Sequence, residues 1–161
     1  MNPISAEVVE KTWKRVAGTS LQEVPETIDR MTKEQPLILA YLLAVGHDIF
    51  NQDERELLFF LGMVIWQIMS QGTTRLPKIT EKTIDEVEES NLKMLEYLEG
   101  ESETGFVESV EGMLENYNQR EVLGYVMEAL MEEPEEGCLI REENKGLMMI
   151  YLKTVLDCFD R

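Results

Sequence analysis

The sequence predicts an all-α protein of about eight helices. Three observations carry that prediction. Nearly every segment spaces its apolar residues at helical period, and nothing alternates convincingly at period two. Cap and breaker residues bracket the periodic stretches. The order of helices in the first half recurs in the second.

In the first helix Val8, Val9, Thr12, Trp13, Val16 and Ala17 share a face, and Gly18 ends it. Pro25 suits the first turn of a second helix, with a narrow stripe of Leu21, Val24, Ile28 and Met31. Pro36 opens a third helix, apolar on nearly every side from Leu37 to Val45. Asp53 and Glu56 read as a capping box for the fourth, which is apolar all round from Leu57 to Trp66 and closes by Gly72 and Pro77. Helices of that kind belong at the centre of a bundle.

The fifth helix runs from near Thr80 to Leu98, with Gly100 just beyond. Its stripe is Ile84, Val87, Asn91, Met94, Leu95 and Leu98, and its other face is rich in Glu. The sixth carries Phe106, Val107, Val110, Met113, Leu114 and Tyr117. Asn118 and Glu121 suggest a cap for the seventh, whose face is Val122, Val126, Met127, Leu130 and Met131. Residues 132–137 form a loop, and the eighth helix runs from about Glu142 to Phe159.

Residues 35–45 align without gaps on 119–129, pairing Tyr41 with Tyr125 and the small residues Ala40 and Gly124. Residues 57–61 align on 147–151 if the second loop is longer by about six residues, 25–31 fall on 107–113, and 6–10 fall on 85–89. The expected organisation is one helical domain over 1–161, built of two pseudo-repeated four-helix halves at about 1–76 and 80–161. The halves form a compact bundle or a short helical-repeat array. Ala40 and Gly124 would mark close helix approaches, and the two tyrosines would sit near the interface between halves.

The composition, 43% hydrophobic and 29% charged, suits a folded domain. The net charge of −17 argues against direct nucleic-acid binding and against docking on an anionic membrane. The longest apolar run, Leu57 to Trp66, is too short to span a bilayer. Two cysteines and the lack of a secretory pattern at the N-terminus point to a cytoplasmic chain with free thiols, Cys158 buried and Cys138 in a loop. A single histidine, His47, leaves no set of ligands for the common His-based metal sites, and phosphate-binding, dinucleotide and nucleophile-elbow motifs are absent. No cofactor, metal or catalytic residue is assigned.

Two groups of residues stand out. Tyr41, His47, Trp66 and Tyr125 could line a pocket between the halves, although core packing accounts for each of them as well. Glu86, Glu88, Glu89, Glu132, Glu133, Glu135 and Glu136 form acidic runs suited to a basic partner, or simply a solvated face. The charge is uneven: residues 1–80 hold 10 acidic and 8 basic residues, residues 81–161 hold 22 and 7. The expected function is a non-enzymatic interaction or regulatory module that presents an acidic helical surface to a protein partner, with homodimerisation as a further option. A small-molecule-binding protein or unfamiliar enzyme with a pocket between the halves is the alternative. An acidic nucleic-acid mimic is the third.

Overall fold

A computed structural model describes residues 1–161, apart from the side chains of Glu103, Phe106 and Val107. The described residues form eight α-helices and no strand: α1 (Ala6–Ala17), α2 (Val24–Glu34), α3 (Pro36–Ala44), α4 (Gln52–Met69), α5 (Glu81–Glu99), α6 (Glu103–Asn116), α7 (Arg120–Met131) and α8 (Glu142–Phe159). Phe106 and Val107, expected on the apolar face of α6, lie outside the described side chains.

Short polar side chains start several of these helices by accepting orphan N–H groups of the first turn. Ser5 accepts from Val8, Thr80 from Thr83 and Ser102 from Gly105. The box that starts α4 is Asn51 with Glu54, two residues ahead of the Asp53–Glu56 pair expected from sequence. Asn118 does not cap α7; its side chain instead reaches the carbonyl of Met1 and the carboxylate of Asp160.

The core is built around α4 and α8, which pack on each other. Leu61 through Met69 and Ile150 through Leu156 are buried without interruption, as the all-round apolar character of α4 requires. Helix α1 packs on α4 and α7, and α5 packs on α8. Helix α3 departs from the expectation. Ile38, Leu39 and Leu42 are buried, but Leu37, Ala40 and Leu43 face solvent, because α3 packs only on α2 and α4 among its main neighbours. Leu21 is also exposed and precedes α2 rather than joining its stripe.

Nor do Ala40 and Gly124 mark close approaches: Ala40 is exposed, and a Cβ at Gly124 would meet nothing within 4 Å. The tight crossing is at Gly62, where a Cβ would stand 2.4 Å from the buried Leu42 side chain.

Two buried glutamines tie the ends of the fold together in the same way. Gln119, ahead of α7, accepts from Ile4 N–H at 2.9 Å and donates to Asn2 carbonyl at 3.0 Å. Gln35, ahead of α3, accepts from Ile79 N–H at 3.0 Å and donates to Pro77 carbonyl at 2.8 Å. Each amide thus satisfies both polar groups of an extended segment, and each segment leads straight into a capped helix, α1 or α5. The clamps place Ile4–Ser5 opposite Ile79–Thr80. Set side by side on the clamps, Val9 falls opposite Ile84 and Thr12 opposite Val87, all buried.

Glu54 is fully buried at the start of α4 and is the most heavily bonded carboxylate in the fold. It receives the Arg141 guanidinium at 2.7 Å, the N–H groups of Asn51 and Arg141 at 2.9 Å each, and the Asn144 amide at 3.1 Å. Burial pushes its pKa up, but the hydrogen bonds from Arg141, Asn51 and Asn144 outweigh burial and hold it down at about 2. A second polar layer ties α5 to α8. Lys153 bridges Asn91 (2.8 Å) and Asp157 (2.7 Å), Asn91 also donates to Thr154 (3.1 Å), and the Tyr117 hydroxyl donates to Asp157.

The folded-state pKa of Glu54 lies below the ordinary carboxylate value of 4.5, so its stabilisation is complete above that value and is lost as pH falls towards about 2. Glu54→Gln should cost about 3 kcal/mol at neutral pH and flatten the acid limb of a urea-midpoint-versus-pH curve. Gln119→Leu should cost about 2 kcal/mol or more, because it strands a buried N–H and its partner carbonyl. Urea unfolding should give a similar loss for Gln35→Leu.

Candidate functional site

A cleft lies between α1, α4, α7 and the α7–α8 loop, with a volume of about 660 Å³. Its floor is apolar. Trp13 and Ala17 come from α1, Leu57 and Phe60 from α4, Tyr125 and Ala129 from α7, and Ile140 from the loop. Trp13 and Tyr125 stack at 5.9 Å with their planes 18° apart. Asp53, Glu56, Glu128, Glu132, Glu133 and Glu135 also line the cleft, and no Lys, Arg or His does. Burial first, and the charge of Glu132 second, push the Tyr125 phenol up to about 12, so it stays a neutral donor.

The loop that supplies the acidic edge is anchored at its far end. Leu139 N–H donates to Asp53 at 2.9 Å, and the Asn51 amide donates to the Leu139 carbonyl at 3.1 Å. Arg141 then joins Glu54 and also reaches the Ile49 carbonyl at 2.9 Å. Gly137 takes φ 90°, a left-handed turn that a side chain would strain. The extra length of this connection is shared with the helix before it, since α7 has 12 residues where α3 has 9.

A corner of similar construction lies between α3, α5 and α8, but it is filled. Tyr41 donates to Glu88 at 2.6 Å and meets Tyr151 edge-on at 6.2 Å, and Phe50 meets the same Tyr151 at 6.0 Å. Taking the clamp and helix starts as reference, Tyr41 stands where Tyr125 does, Glu88 where Trp13 does, Phe50 where Ile140 does and Tyr151 where Leu61 does. Phe50, Tyr151 and a shorter loop close this corner. Ile140, Leu61 and a longer loop leave the corner beside Trp13 open.

The four residues read from sequence as a pocket are not gathered in one place. Tyr125 borders the acidic cleft, whereas Trp66 is buried beside a different cleft with Arg30 5.1 Å above its ring. Tyr41 belongs to the filled corner, and His47 is exposed, 3.5 Å from Asp48. The acidic residues divide likewise. Glu132, Glu133 and Glu135 edge the cleft, and Glu136 is exposed in the same loop. On α5, Glu86 lies 3.9 Å from both Lys82 and Arg161, Glu89 lies 3.1 Å from Lys93, and Glu88 holds Tyr41. Trp13, Asp53, Glu56 and Glu128 also line the cleft, and sequence reasoning did not place them there. Trp13 carries a signal, an aromatic residue at the edge of the α1 stripe, whereas the three carboxylates carry none.

No protein-family model, curated protein or solved structure matches this chain. Among the described residues no helix is long and apolar enough to cross a membrane.

Cys138 lies exposed on the cleft edge and Cys158 is buried in α8. Burial, then Asp53, Glu135 and Glu56, push the Cys138 thiol up, while burial and Asp157 push Cys158 up to about 12. Thiol alkylation followed by mass spectrometry should modify Cys138 alone in the folded protein, more slowly than a free thiol at neutral pH. Cys158 should react only after denaturant is added.

Proposed function

We propose that this chain is a non-catalytic interaction module whose α1–α4–α7 cleft binds a basic amphipathic helix of a protein partner. The observation that carries this reading is the make-up of the cleft, an aromatic and aliphatic floor edged by six carboxylates with no cation among its lining residues. A partner helix would lay its apolar stripe on Trp13, Phe60 and Tyr125 and set flanking Lys and Arg against the acidic edge. Opposite charge then steers encounter and rejects acidic helices. Glu132, Glu133 and Glu135 make no ion pair among the described residues, so they reach a partner without first breaking an internal contact.

We further propose that the halves at about 1–76 and 80–161 are diverged copies. The reciprocal clamps of Gln35 and Gln119 and the matched pair of corners support this. On this account the corner of α3 with α5 and α8 lost its groove to Phe50 and Tyr151, while the corner of α1 and α4 with α7 kept its groove open and gained acid. The partner is a soluble basic protein, and the free thiols fit a cytoplasmic setting.

Fluorescence anisotropy with a labelled leucine–lysine amphipathic peptide tests the docking. Binding should weaken with salt and alter Trp13 emission, and Glu132→Lys with Glu135→Lys should reduce affinity about tenfold at unchanged thermal stability. Equal binding of a leucine–glutamate peptide, or undiminished binding to the double variant, would overturn the reading. A concentration-dependent dimer that excludes the peptide would assign the cleft to a second copy instead.

A further inference from the structure

We propose a second site of opposite character: the cleft between α2, the end of α4 and the α4–α5 connection binds a small phosphate-bearing anion. This cleft has a volume of about 920 Å³, and Arg30, Lys33, Arg75 and Lys78 converge on it with Glu34 as the one carboxylate. In a chain with 32 acidic and 15 basic residues, cations are expected to be consumed by neighbouring carboxylates. Several elsewhere are, as Lys11, Lys14, Lys93 and Lys153 are each met by a carboxylate one turn away. None of the four cations on this cleft has such a partner among the described residues.

A second, independent observation points the same way. Trp66, on the wall of this cleft, is 1% exposed, and its Nε1–H is the one buried side-chain N or O among the described residues without a hydrogen-bond partner. Indole is a donor only, so what it lacks is an acceptor. Arg30 lies 5.1 Å above the ring of the same indole. The neighbouring chain is held in place, because Gln35 bonds both Pro77 and Ile79 on either side of Lys78. A phosphate offers several acceptor oxygens and more than one charge to two guanidinium groups, two ammonium groups and an indole N–H. A single carboxylate would satisfy only a fraction of them.

Inorganic pyrophosphate is the probe. Calorimetric titration should show salt-sensitive binding to the wild type, reduced about tenfold in Arg30→Gln/Arg75→Gln with the melting temperature of the free protein unchanged. The indole N–H resonance of Trp66 should move on titration while that of Trp13 stays fixed, a readout that does not depend on any variant folding. Absence of binding, equal affinity in the double variant, or a shift at Trp13 alone would overturn the proposal. So would a glutamate-rich peptide that binds this cleft where pyrophosphate does not, since that result assigns it to an acidic protein partner.

Discussion

The buried carboxylate of Glu54 is the point on which the rest of the arrangement depends. It sits where the N-termini of α4 and α8 meet and joins segments 87 residues apart in the chain. Burying a charge is costly unless every lone pair is used, and here two backbone N–H groups, one guanidinium and one amide use them. The bond to Arg141 has a further effect. It fixes the residue at which the α7–α8 loop ends, so Leu139 lies against Asp53, and the acidic stretch before it is carried along the edge of the cleft. Remove Glu54, and both the packing of the central helices and the placement of the acidic edge lose their common support.

The two glutamine clamps do for the outer helices what Glu54 does for the inner pair. Gln119 orders the segment that starts α1 and Gln35 the segment that starts α5, so each of these helices depends on an amide from a distant part of the chain. Against that shared framework the differences stand out. One corner is plugged by Phe50, Tyr151 and the Tyr41–Glu88 bond, and the other is open with a stacked Trp13–Tyr125 floor. Charge is uneven along the chain as well. The near-neutral first half holds the cluster of unpaired cations beside Trp66, and the acidic loop of the second half edges the open cleft. A chain made acidic only for solubility would distribute its carboxylates without regard to either feature.

The helices were legible in the sequence because periodicity, Pro25, Pro36, Thr80 and Gly100 are local signals that agree with one another. Burial along α4, α5 and α8 was legible for the same reason. What escaped were features decided by distant partners. Asn51 rather than Asp53 caps α4 because Glu54, three residues on, is the residue that Arg141 and Asn144 meet. Helix α3 reads as a core helix, yet no other element covers Leu37 and Leu43. The site was legible in part. Tyr125 and the glutamates of the 132–136 loop were singled out, but their companions Trp13, Asp53 and Glu56 come from helices whose proximity only tertiary packing decides. Tyr41 pairs with Tyr125 in sequence, and its fate differs because Phe50 and Glu88 fill the space around it.

The claim that an open, acid-edged cleft is the working surface of this fold is tested most directly by residue-resolved mapping. Backbone and indole resonances of the isotope-labelled chain would be followed during titration with a basic amphipathic helix. The account predicts perturbations concentrated on Trp13, Leu57, Phe60, Tyr125 and the 132–140 loop, with the filled corner around Tyr41 and Tyr151 silent. Perturbations centred on the exposed face of α3 at Leu37 and Leu43, or spread evenly over the acidic surface of α5, would contradict it.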